Sequence, residues 1–157
     1  MSAEAVVAAL RERGLVLATA ESCTAGLISA AITDVAGASA VFDRGFVTYS
    51  NSAKSQMLDV PPNLITAHGA VSEQVAGAMA QGALAHSNAQ IAVSVTGIAG
   101  PGGSDYKPEG RVCFGLATAG DGAKTETVEF GAIGRVNVRQ RTVNHALSIV
   151  LKNINPN

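Results

Sequence analysis

Two short runs with little polar alternation, LVLATA at 15–20 and IAVSVT at 91–96, constrain this chain most. Strands of that kind are buried on both faces, and helices are the layers that bury them. Helix-period segments lie where such a sheet needs them. AEAVVAALRER places Val6, Leu10 and small alanines on one face before Gly14, a C-terminal stop. From Cys23 to Ala36, the spacing of Leu27, Ile28, Ala31, Ile32 and Val35 predicts a second helix, ended by Gly37. VFDRGFVTYS has the β-branched and aromatic content of a strand, and NSAKSQML the Asn/Ser opening of a short helix.

DVPPNLITAHGA reads as a loop, because Pro61, Pro62 and Gly69 interrupt regular structure. Ser72-Glu73 opens a long helix with Val75, Ala76, Met79, Ala80, Ala83 and Leu84 inward. After IAVSVT come the glycine-rich loop GIAGPGGSDYKPEG, the strand RVCFGLAT, a hairpin turn AGDGAK and the strand TETVEFG. A last helix runs from about Arg135 to Ile154. This order predicts an α/β fold: a three-layer α/β/α sandwich around a mixed, mostly parallel sheet, in one domain spanning 1–157.

Composition narrows the function classes. Eleven Lys+Arg against 12 Asp+Glu give almost no net charge, which recommends neither nucleic acid nor an anionic membrane as partner. The amphipathic start MSAEAVVAALRERG lacks the basic and apolar regions of a signal peptide, and no apolar stretch is long enough to span a bilayer, so a cytoplasmic location is expected. Cys23 and Cys113 lie in apolar surroundings and read as buried thiols. With two Cys and three His, a Cys/His zinc site is disfavoured.

In an open α/β sheet, ligands sit beyond the carboxyl ends of strands. Three stretches follow predicted strands directly: ESCT, YSNSAK and TGIAGPGG. Their convergence on one rim is expected. Ser22 has an ordinary reading as a helix N-cap, contributing roughly 1 kcal/mol, and Thr24 could serve equally. It also has a chemical one, a nucleophile at a tight turn whose following N–H groups face developing negative charge. A base is then needed. No histidine spacing supports a Ser-His-Asp arrangement, whereas Lys54, desolvated at the start of a short helix, would lose pKa and act as a neutral amine. The ordinary reading of Lys54 is a solvated surface side chain. Tyr49 could relay a proton or be a half-buried strand tyrosine. Cys23 is expected to turn inward rather than react. TGIAGPGG is neither a Walker A nor a dinucleotide fingerprint; Thr96, Gly97, Gly100 and Gly102 let main chain approach a ligand, or simply form a surface connection.

AESCTAG, FDRGFVTYSNSAK, HGAVSE, VTGIAGPGG and KPEG, in that order, resemble the family of the C-terminal domain of the competence-damage-inducible protein CinA. The resemblance covers roughly Glu4 to Leu151. Stand-alone members of that family are nicotinamide-nucleotide amidohydrolases. The resemblance therefore implies hydrolysis of the carboxamide of nicotinamide mononucleotide, giving nicotinate mononucleotide and ammonia in pyridine-nucleotide recycling. It places the family's serine on Ser22, its tyrosine on Tyr49 and its lysine on Lys54, a Ser-Lys dyad assisted by tyrosine. Two departures stand out: Ala25 where the family often has Gly, and Gly134 where an acidic residue often precedes the arginine.

In that chemistry the N–H groups at Cys23 and Thr24, or those of the glycine loop, hold the oxyanion, and neither a metal nor a cofactor is required. The phosphate needs a cationic seat. Arg135 and Arg139 share one face at the start of the last helix and could form it or be solvated, with Arg44 and Lys107 as alternatives bordering motif loops. A homo-oligomer, most simply a symmetric dimer, is the expected assembly. The competing readings are a nucleotide-sensing domain of the same fold without chemistry, and an amidase for another small amide.

Overall fold

The computed structural model describes residues 2–104 and 106–156. In chain order the elements are α1 (Ala3–Arg13), β1 (Leu17–Glu21), α2 (Leu27–Thr33), a single 3₁₀ turn (Ala38–Ala40), β2 (Phe42–Val47), α3 (Asn51–Leu58), α4 (Pro62–His68), α5 (Glu73–Ala85), β3 (Ile91–Gly97), β4 (Arg111–Thr118), β5 (Gly122–Glu129) and α6 (Arg135–Ile154). One sheet has the strand order β2-β1-β3-β4-β5. β1 is parallel to both β2 and β3, whereas β4 runs antiparallel to β3 and β5. Four of the five strands thus point the same way, and β4 is the reversed one.

Helices α1, α2 and α6 pack on one face, where Val6, Leu10, Ile28, Ile32, Val143, Leu147 and Val150 meet Leu17, Val93, Val95 and Phe114. Helices α3, α4 and α5 cover the other, with Leu58, Ile65, Val75, Met79 and Ala83 against Ala18, Ala20 and Ala92. This is the expected three-layer sandwich. Every residue of β1 is buried, as a strand covered on both faces requires.

Three expectations need correcting. The helix placed at Cys23 begins only at Leu27 and ends at Thr33, because Ala25 (φ 49°) and Gly26 (φ 101°) are left-handed and cannot continue a right-handed helix. The supposed loop 59–70 contains α4; Pro62 lies in its first turn, where a missing N–H costs nothing. Gly97, placed in the loop after the third strand, is instead the last residue of β3, next to Thr96.

Small residues set the spacing of the α3–α4–α5 layer. A Cβ on Gly82 would overlap the carbonyl oxygen of Leu58, at the end of α3. Backbone cannot yield as a flexible side chain does, so Gly82→Ala is expected to lower the melting temperature by roughly 6–12 °C, read by differential scanning calorimetry. An unchanged transition would show that the two helices are not in contact there.

Candidate active site

Strand order explains why the site lies where it does. From β1 the chain moves outward to β2, then crosses back to place β3 on the other side of β1. A crevice therefore opens at the carboxyl ends of these parallel strands. It measures about 440 Å³, and Ser22, Tyr49, Lys54, Thr96, Gly100 and Arg135 are among the residues lining it.

Ser22 follows β1 directly, its N–H donating to the carbonyl of Val95 at 3.1 Å, which ties it to β3. Lys54 comes from the first turn of α3. Ser50 caps that helix by accepting from the Ala53 N–H, and this sets Lys54 facing inward. Its side chain is only 1 % exposed. Nζ lies 3.0 Å from Ser22 Oγ, 3.1 Å from the Thr48 carbonyl and 3.2 Å from the Tyr49 carbonyl.

The stoichiometry of these contacts matters. A protonated amine has three N–H groups for three oxygens; a neutral amine keeps two for the carbonyls and turns its lone pair to the Ser22 hydroxyl. One geometry serves both proton states. Burial pulls the Lys54 pKa below the ordinary 10.5, with the neighbouring Cys23 opposing the shift.

Cys23 is buried, and desolvation, followed by the Glu21 charge, pushes its thiol up to about 11 despite opposing local contacts. Beside Ser22 it is a protonated, unreactive sulfur. Cys113 is buried in β4, and both thiols are free. Tyr49 contributes differently from the expected phenolic relay. Its carbonyl accepts from Lys54, while its hydroxyl accepts from Arg135 Nη2 at 3.0 Å. Tyr49 as a whole is 59 % exposed at the mouth.

The turn after Ser22 depends on a residue that the sequence reading passed over. Glu21 is wholly buried, and its carboxylate accepts from Thr24 Oγ1 (2.6 Å), Ile28 N (2.8 Å), Ser29 N (3.1 Å) and Ser29 Oγ (2.9 Å). It thereby caps α2 from the strand side, so those helix N–H groups are not available to a ligand. An acidic residue ending an apolar strand, a few positions before a helix, was the available signal. Thr24 is buried on this carboxylate and does not line the crevice.

Arg139 does not line it either: Nε and Nη2 donate to the carbonyls of Cys23 (3.0 Å) and Thr24 (3.2 Å). Arg135, one turn earlier, does; Nη1 donates to the Gly100 carbonyl at 2.6 Å. Thr96 Oγ1 donates to the Ala70 carbonyl at 2.9 Å, joining β3 to the segment before α5. Gly97, Gly100 and Gly102 all line the crevice, and the last two have left-handed φ of 92° and 81° that a side chain would strain. Lys107 also lines it, held by the carbonyls of His68 and Val71. Arg44 is elsewhere, on Asp43 and the His86 carbonyl. Among the described residues no histidine lines the crevice, and no three His, Cys, Asp or Glu side chains form a metal-holding group. Among the described residues, no helix is long and apolar enough to cross a membrane.

Comparison with known proteins gives one answer. The family model described as the CinA C-terminal domain matches residues 1–154. A putative competence-damage inducible protein of Symbiobacterium thermophilum is 52 % identical over 156 residues, covering 94 % of this chain and 36 % of that protein. The chain thus spans about a third of the length of the first such relatives it matches. Nicotinamide-nucleotide amidohydrolase PncC of Escherichia coli K12 is 56 % identical over 117 residues, 74 % of this chain and 71 % of the enzyme. The crystal structure of the competence/damage inducible protein CihA from Agrobacterium tumefaciens superposes with a TM-score of 0.93 at 47 % identity, covering 98 % of this chain and 93 % of that one. With the fold, the motifs and the family model in agreement, this chain belongs to the CinA C-terminal domain family.

Proposed function

We propose that this protein hydrolyses the carboxamide of nicotinamide mononucleotide to nicotinate mononucleotide and ammonia, through an acyl-enzyme on Ser22 with Lys54 as its base. The observation that carries this reading is the 3.0 Å contact between a desolvated lysine amine and a serine oxygen in an open crevice. The 56 % identity to an enzyme named for this activity supports the choice of substrate.

Neutral Lys54 takes the Ser22 proton as Oγ attacks the amide carbon. The pyridinium ring withdraws electrons and makes that carbon a better electrophile than an ordinary amide. Main-chain N–H groups of the Cys23–Thr24 turn or of the glycine loop stabilise the oxyanion. The C–N bond then breaks, and the leaving nitrogen takes the proton from Lys54 and departs as ammonia. Water attacks the resulting ester, gives a proton back through Lys54 to Ser22, and releases nicotinate mononucleotide. Tyr49 assists through its carbonyl, which orients the amine, and through a hydroxyl that steadies Arg135.

Besides Lys54, the crevice is lined by the basic side chains of Arg135 and Lys107, which suit a phosphate. The test is ammonia release from the mononucleotide compared with its riboside. The nucleotide is expected to have a KM about tenfold lower, with Arg135→Ala erasing most of that difference. Equal use of nucleotide and riboside would remove the phosphate seat, and no hydrolysis of either would favour a sensing domain.

A further inference from the structure

Arg139 holds two carbonyl oxygens of the turn that carries the nucleophile, although 116 residues separate it from Cys23. Its side of that turn faces away from the crevice, since Cys23 lines the cavity and Arg139 does not. We propose that Arg139 is a positioning residue, which fixes the Cys23–Thr24 turn behind Ser22 and so holds the nucleophile in register with Lys54. This rests on the hydrolytic reading above and departs from the expectation that Arg139 seats a phosphate.

In a trans peptide the C=O and N–H point in opposite directions, so holding the Cys23 oxygen sets the direction of the Thr24 N–H. Thr24 is fully buried and lies off the crevice, so what the two Arg139 contacts fix is the plane of the peptide that follows the nucleophile. The neighbouring oxygens are already engaged: Ser22 O accepts from the Ala25 N–H, and Thr24 O from the Leu27 N–H as well as from Arg139. The turn therefore has little freedom to rotate.

Charge points the same way. The Glu21 carboxylate lies under this turn through Thr24 and would by itself disfavour an anion at Ser22. The Arg139 guanidinium, on the turn's carbonyl side, offsets that repulsion and polarises the peptide it grips. Arg135, although on the same helix, reaches the glycine loop and the crevice, so the two arginines are expected to fail differently.

The experiment compares Arg139→Ala and Arg139→Lys with the parent in two assays. The first is steady-state hydrolysis of nicotinamide mononucleotide. The second is labelling of Ser22 by phenylmethanesulfonyl fluoride, in which Oγ bonds to sulfur, fluoride leaves and the proton passes to Lys54. Arg139→Ala is expected to lower both kcat and the labelling rate by about 10²-fold with KM nearly unchanged, and millimolar guanidinium is expected to restore part of each. Arg139→Lys, with one ammonium for two divergent carbonyls, is expected to lose about tenfold, and it decides the matter if the alanine variant does not fold. A raised KM with unchanged kcat, or labelling at the parent rate in a folded variant, overturns the proposal. A parent that is labelled at Ser22 yet leaves the mononucleotide intact would refute the substrate, while the labelling comparison still decides the role of Arg139.

Discussion

Ser22→Ala is expected to lower kcat/KM for nicotinamide mononucleotide by roughly 10³- to 10⁵-fold, and Lys54→Met by a similar factor. The double variant should be no worse than either single one, because a nucleophile and the base that activates it act as a unit. Lys54 reaches Ser22 Oγ at 3.0 Å, and the sulfur of Cys23 next door is held protonated by burial, so no neighbouring group is ready to replace either member. Ammonia release by a coupled assay, with the fold checked by circular dichroism, decides the point. Additive losses, or a Ser22→Ala variant within tenfold of the parent, would exclude the dyad.

The direction of the Lys54 shift gives the dyad a pH signature. Desolvation lowers its pKa below 10.5, and the neutral form is the active one, so kcat/KM should rise with pH through the folded pKa and level off before 10.5. Stability runs in the same direction. Between the depressed folded pKa and the unfolded value of 10.5, the unfolded chain holds a proton that the native chain has released, so stability increases with pH across that window. Below the folded pKa the native state keeps a charge in a desolvated site. Lys54→Met removes this burden and is expected to be inactive yet more stable at acidic and neutral pH.

Most of the layer architecture was legible because burial on both faces leaves its mark on composition. β1 and β3 read as short runs with little polar alternation, and α5 and α6 carry their inward stripes at the expected spacing. Ser22 and Tyr49 could be placed just after strands for the same reason, and Lys54 in the short helix that follows. What could not be read was how the side chains of that rim divide their work. Arg135 and Arg139 are one helical turn apart and look equivalent in sequence, yet one faces the crevice and the other grips carbonyls behind it. Tyr49 contributes a main-chain oxygen to Lys54, which no side-chain pattern signals. The late start of α2 depends on Ala25 in a left-handed conformation that non-glycine residues seldom adopt, so the sequence offered a continuous helix where the chain makes a turn.

That turn is where a second large effect is expected, on stability rather than catalysis. Glu21→Ala should destabilise the fold by about 3–5 kcal/mol, read by chemical denaturation. The carboxylate accepts four hydrogen bonds in a site closed to solvent, two from main-chain N–H groups at the start of α2 and two from the hydroxyls of Thr24 and Ser29. Alanine leaves all four donors without that partner and opens a cavity beneath the nucleophile. Thr19 Oγ1 lies 2.7 Å from Ser29 Oγ and can recover one of them, which keeps the loss below a simple sum. Glu21→Gln is the informative companion. Its amide oxygen can still accept, but its NH₂ group faces donors instead of acceptors, so a loss of about half the alanine value is expected, with α2 retained. If glutamine proved as stable as the parent, the charge on Glu21 would be irrelevant to the fold. Hydrogen-bond count alone would then hold α2 next to Ser22.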